Sequence, residues 1–232
     1  MRLWVNLLMR QLGRRNIKRF AALIIASALM ASSAVAESVT SRNGGPSAAD
    51  MTARSSAGAP EGTTFFRPVL SGVLYRSGFS GGDKQRTGLS QSQRGALCDA
   101  GFSKAFYADF GKNTSYGVTN CASGTLDYES ARSSRPSNVL KAVHETIKNP
   151  SEGPVLVHCM WGVHASGALS AMSLVQFCGW SESRAKEYWD EARNGAPCSG
   201  GCDKWIDAKF AKFKMDPNLT ITDAERAAIC PK

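Results

Sequence analysis

Pro154-Val155-Leu156-Val157-His158-Cys159-Met160-Trp161-Gly162-Val163-His164-Ala165-Ser166-Gly167 decides how the rest of the chain is read. The short β-branched run at 155–157 predicts a buried strand. It ends in His-Cys and passes through a loop with a central glycine. An apolar helix is predicted over residues 166–178. The free N–H groups at such a helix start converge on one region and carry the positive end of the helix dipole, which makes an anion cradle. A cysteine at that place is favoured as the thiolate nucleophile.

Upstream, residues 1–36 read as an export signal. Arg2, Arg10, Arg14, Arg15, Lys18 and Arg19 form a basic segment without an acidic residue. An apolar run follows over 20–30, and Ala34-Val35-Ala36 before Glu37 fits the small-x-small cleavage rule. The apolar run is short for a membrane span, and an uncleaved anchor is the alternative. Of the 28 Lys and Arg, six lie in this leader; the remaining 22 against 19 Asp and Glu give a mature net charge of +3 rather than +9. That balance, with no basic stripe interleaved with aromatics and no recognition-helix pattern, argues against a nucleic-acid partner. After cleavage no stable membrane association is expected, and the location is periplasmic or secreted.

Seven cysteines suit an exported protein. With Cys159 set aside, six remain, which allows up to three disulfides; alternatively Cys178, in an apolar helix, is a buried free thiol. At least one bridge is expected, involving Cys198 or Cys202, because Ser-Gly-Gly between them permits a tight turn. No second cysteine pair or histidine cluster accompanies them, so zinc is not expected. Neither is any other metal or cofactor.

Residues 37–62, rich in Ser, Ala, Gly and Thr, show no apolar period and read as a flexible linker to a domain over 63–232. A strand or hairpin is expected over 69–75, a helix over 89–100 closed by Gly101, a strand over 104–110, and a short strand within 121–128. Pro136 begins a helix to Lys148 with Val139, Val143 and Ile147 on one face. Ser181 caps a helix to about 193, and a helical C-terminal extension from about 196 holds helices near 202–213 and 222–229. Strands alternating with helices give a single α/β domain, a central sheet of about four or five strands flanked by helices.

His158-Cys159-x-x-Gly162-x-x-Ala165-Ser166 resembles the His-Cys-x-x-Gly-x-x-Arg-Ser/Thr loop of the cysteine-dependent tyrosine and dual-specificity phosphatases, with alanine where that loop has arginine. Val73-Leu74-Tyr75-Arg76-Ser77-Gly78 is similar to the opening strand of bacterial members. Leu97-Cys98-Asp99-Ala100-Gly101-Phe102 looks like their turn from first helix into strand. The resemblance spans about residues 65–195 and implies a dual-specificity-phosphatase-like fold.

It also implies roles. Cys159 is the nucleophile, assisted by His158, and Met160, Trp161, Gly162, Val163, His164 and Ala165 complete the phosphate loop. Ser166 resembles the hydroxyl that eases departure of the cysteine sulfur, and it also suits helix capping. Asp127, 32 residues before Cys159, stands near the family's general acid, with Asp109 as runner-up. A guanidinium fork grips two phosphoryl oxygens, which alanine cannot do, so Arg76 is the candidate substitute cation; His164, one residue earlier, would be only partly charged. Trp161 stacks on a ring or serves packing.

Three readings follow. One is an exported phosphatase-fold protein with a degenerate loop, binding a phosphorylated small molecule or phosphoprotein with weak or absent hydrolysis. The second is an active phosphomonoesterase with a displaced cation. The third is sulfur-transfer or redox chemistry at Cys159.

Overall fold

The computed structural model of the chain describes residues 46, 50, 51, 59–79, 88–108, 115–132, 135–193, 195, 196 and 201–232. The leader, 1–36, lies outside them. Six strands form one mixed sheet: β1 Thr63–Leu70, β2 Leu74–Phe79, β3 Lys104–Ala108, β4 Ser115–Cys121, β5 Gly124–Ala131 and β6 Val155–Cys159, in the order β1-β2-β6-β3-β5-β4. The inner four run parallel; β1 and β4 are antiparallel edges. The helices described are α1 Gln91–Asp99, α2 Ser137–Lys148, α3 Ala165–Cys178, α4 Glu182–Ala192, α5 Cys202–Phe210 and α6 Asp223–Ile229. The α/β class stands. The sheet has six strands rather than four or five, because β1 and β4 both form.

Every residue of β6 is buried, as an apolar strand covered on both faces requires. On one face Leu156 packs with Tyr75, Leu97, Phe102, Ala105, Leu126 and Tyr128, residues of α1 and the sheet. On the other, Val155 and Val157 meet α2, α3 and α4 through Val143, Leu169, Met172 and Trp189. Helix α3 is buried nearly all round, so it lies between sheet and outer helices. The C-terminal extension belongs to this core, to which it contributes Ile206, Phe210, Leu219 and Ile229. Met51, inside the expected linker, is also buried there.

Among the described residues two disulfides close the fold, Cys98–Cys121 and Cys178–Cys230. The first ties α1 to the edge strand β4, the second the end of α3 to the last helix. Cys178 is therefore bridged, not free. The expected Cys198 pairing lies outside the described residues, as does the side chain of Cys202. Among the described residues no helix is long and apolar enough to cross a membrane, and no three His, Cys, Asp or Glu side chains gather to hold a metal ion.

Candidate active site

Parallel strands present their carboxyl ends, and the loops that follow them, to ligands. Cys159 is the last residue of β6, and Ala165 begins α3 five residues beyond Met160. The thiol is buried, 6% exposed, and is the free cysteine among the described residues. The Gly162 N–H donates to its Sγ at 3.2 Å, and the Ser166 hydroxyl lies 3.3 Å from the same sulfur. Cys159, Gly162 and Ser166 are thus brought together as the motif implies.

The turn that does this depends on two glycines. Gly162 adopts φ +68°, a conformation that side chains disfavour. A Cβ there would stand 2.3 Å from the Gly78 N, and one on Gly78 would stand 2.6 Å from the Gly162 N. The loop therefore lies directly on the end of β2, whose Gly78 pairs with Cys159.

His158 projects to the opposite face from Val157. Its ring stacks on Tyr107 at 4.9 Å and meets Phe79 edge-on at 5.0 Å. The Tyr128 hydroxyl accepts from the Leu89 N–H at 2.9 Å and lies 2.8 Å from His158 Nε2. The hydroxyl thus ties His158 to the start of the α1 segment through one oxygen. Burial lowers the imidazole from 6.5 to about 3, so it is neutral and holds the strand end rather than supplying charge. The unfolded chain binds this proton below 6.5 and the folded one does not, so stability falls as pH drops from 6.5 toward 3. The expected slope is up to ~1.4 kcal/mol per pH unit, reduced in His158→Asn. Urea titrations across that range check it; equal slopes in both proteins refute it.

The remaining loop residues divide by exposure. Val163 and Ala165 are buried, Met160 and His164 half-buried, and Trp161 is 61% exposed. Burial, with Arg193 and Arg76 nearby, lowers the His164 imidazole, which makes it a poor replacement cation.

Two expected residues stand elsewhere. Asp127 and Val155 both pair with Lys104, so Asp127 is level with the start of β6. Cys159 is four residues further, roughly 13 Å along the strand. Strand β5 continues past Asp127 to Ala131, and the connection to α2 that does reach the cysteine end reads Arg132-Ser133-Ser134-Arg135-Pro136, with no carboxylate. Asp127 instead bonds Glu129, whose carboxyl is raised by burial and by Asp127. Asp109 lies outside the described residues. Arg76 is fully buried and lies behind the loop: its Nη2 donates to the Gly162 carbonyl at 2.8 Å and the Val163 carbonyl at 3.3 Å, and its Nη1 to the Tyr188 hydroxyl at 3.1 Å. It is no substitute fork for an anion in front of Cys159.

Tyr128, Tyr188 and Trp189 were not anticipated. Tyr128 and Trp189 meet the strand and the loop from 30 and 25 residues away, Tyr188 meets Arg76 from 112 residues away, and no local pattern marks such partners.

No protein-family model matches the sequence, and no curated protein matches it. Solved structures do. P. aeruginosa TpbA is similar at 19% identity over 69% of this chain and 90% of its own, with a TM-score of 0.39. A mouse protein assigned as a dual specificity phosphatase is similar at 16% identity over 73% of this chain and 98% of its own, TM-score 0.41. The human tyrosine phosphatase-like serine/threonine/tyrosine-interacting protein is similar at 19% identity over 63% and 95%, TM-score 0.38. All three lie at or below 19% identity, with TM-scores of 0.38 to 0.41.

Proposed function

We propose that this protein binds a phosphorylated small molecule or phosphoprotein at the Cys159 loop, with weak or absent hydrolysis, after export to the periplasm or medium. The observation that carries the reading is the pairing of an intact cradle with an absent clamp. Cys159 Sγ sits against the Gly162 N–H and the Ser166 hydroxyl at the start of α3, where backbone donors favour an anion. Position 165 holds alanine, Arg76 faces the loop's carbonyls, and no acid stands in the β5–α2 connection to protonate a leaving oxygen. Losing one preorganised donor typically costs about 10²–10³ in rate; here position 165 lacks the charged donor, and Asp127 stands near the opposite end of the sheet. Two disulfides fit an oxidising compartment.

Tungstate, a tetrahedral oxyanion, is expected to protect Cys159 from iodoacetamide saturably in the wild-type protein. Alkylation at an unchanged rate under saturating tungstate would refute the reading.

A further inference from the structure

We infer that Arg76 is the positioning residue of the loop: from behind it turns successive peptide units so that their N–H groups face the space in front of Cys159. This inference rests on the anion-binding reading above.

In a trans peptide the C=O and the next residue's N–H point in opposite directions. The Gly162 and Val163 carbonyls both point back onto Arg76 Nη2, at 2.8 and 3.3 Å. The His164 carbonyl accepts from Trp189 Nε1 at 3.0 Å. With three consecutive carbonyls held on the rear face, the N–H groups of Val163, His164 and Ala165 are directed to the front. The Gly162 N–H already points at Cys159 Sγ. Four successive donors therefore face the space in front of Cys159, and a buried cation on the far side aligns the two peptide dipoles it holds.

The surroundings are built to keep the guanidinium there. Arg76 pairs with Val157 on β6, placing it under the loop rather than at its mouth. Gly167, in the first turn of α3, leaves the room: a Cβ there would stand 2.8 Å from Arg76 Nη2 and 2.9 Å from Trp189 Cδ1. Tyr188 receives Arg76 Nη1 and lies 5.7 Å below its guanidinium carbon. Arg67, opposite Arg76 on β1, is also fully buried, and it donates to the Ala192 carbonyl. Burial, and next the charge of Arg76, lower the Arg67 guanidinium to about 9. Two adjacent buried cations are costly unless hydrogen-bonded or offset by an anion. Both are hydrogen-bonded, Arg76 to two loop carbonyls and the Tyr188 hydroxyl and Arg67 to the Ala192 carbonyl, so each is held in place without leaving its burial.

The test uses the whole mature protein and two variants, Arg76→Lys and Arg76→Met. Lysine keeps the charge and three donors, but on one nitrogen, so it cannot serve in the same geometry the two sites that Arg76 reaches with Nη1 and Nη2. If charge alone mattered, Arg76→Lys would behave as wild type. The expected result is at least a tenfold weaker tungstate affinity in Arg76→Lys by calorimetry, a greater loss in Arg76→Met, and slower iodoacetamide alkylation of Cys159 in both at neutral pH. Circular dichroism confirms which variants are folded, and Arg76→Lys, the milder change, carries the test if Arg76→Met does not fold. A folded Arg76→Lys with wild-type tungstate affinity and alkylation rate overturns the inference. Should wild type bind no tungstate, the proposed function fails while the alkylation rates still decide the role of Arg76: slowed in Arg76→Lys upholds it, unchanged refutes it.

Discussion

Replacing both Cys178 and Cys230 by alanine is expected to destabilise the protein by about 4 kcal/mol. The bridge closes a segment of 52 residues, and the loss of loop-closure entropy for a ring of that size is ~4 kcal/mol at room temperature. For a domain of this size that corresponds to a fall of roughly 10 °C in Tm. The site of the bridge adds to the effect. It joins the end of α3 to the last helix, where Arg226 also donates to the Phe177 carbonyl at 2.6 Å and the Ile229 carbonyl accepts from the Ser71 N–H at 2.9 Å. Freed from the disulfide, Ile229 and Leu219 rely on packing and on hydrogen bonds such as Gln176 Nε2 to the Leu219 carbonyl at 3.2 Å to stay in the core. The Cys98–Cys121 bridge closes a shorter segment of 23 residues, and its removal by Cys98→Ala with Cys121→Ala is expected to cost less. Thermal unfolding of oxidised protein measures both. An unchanged Tm in the Cys178/Cys230 variant would contradict the pairing.

The central unit of the fold was legible because its signals are local. An apolar run ending in His-Cys, a glycine and a long apolar helix make β6, the loop and α3 with little help from elsewhere. The same holds for α1, where Ser90 and Gln93 form a capping box. The edges of the sheet were less legible. Strand β1 carries Arg67 and Pro68, and Arg67 is buried although its type suggests otherwise. Strand β4 is polar and interrupted by Gly117, with a register shift beside it.

Register also explains the two displaced site residues. The spacing from Asp127 to Cys159 suited a general acid, but β5 runs four residues past Asp127 and leaves it near the opposite end of the sheet. Arg76 lies close to the loop as its sequence position implied. Strand alternation, however, turns it to the face under α3, where Gly167 and Tyr188 receive it. Disulfide pairing depends on which helix ends meet which strand, and spacing along the chain carried no information about that.

The account makes one claim above the rest: the loop keeps its anion cradle and lacks its guanidinium. Arginine at 165 would enter at the first residue of α3, where the backbone already presents its donors, and would add a charged bidentate grip on two phosphoryl oxygens. Because the β5–α2 connection holds no carboxylate, the gain should be largest with a leaving group that needs no protonation. The decisive measurement is therefore hydrolysis of p-nitrophenyl phosphate by wild type, Ala165→Arg, and Ala165→Arg combined with Cys159→Ser. The account predicts little or no turnover by wild type. It predicts at least about a tenfold gain in kcat/KM for Ala165→Arg, ~1.4 kcal/mol of transition-state stabilisation, and abolition of that gain by Cys159→Ser. Vigorous wild-type turnover that Ala165→Arg leaves unchanged would contradict it.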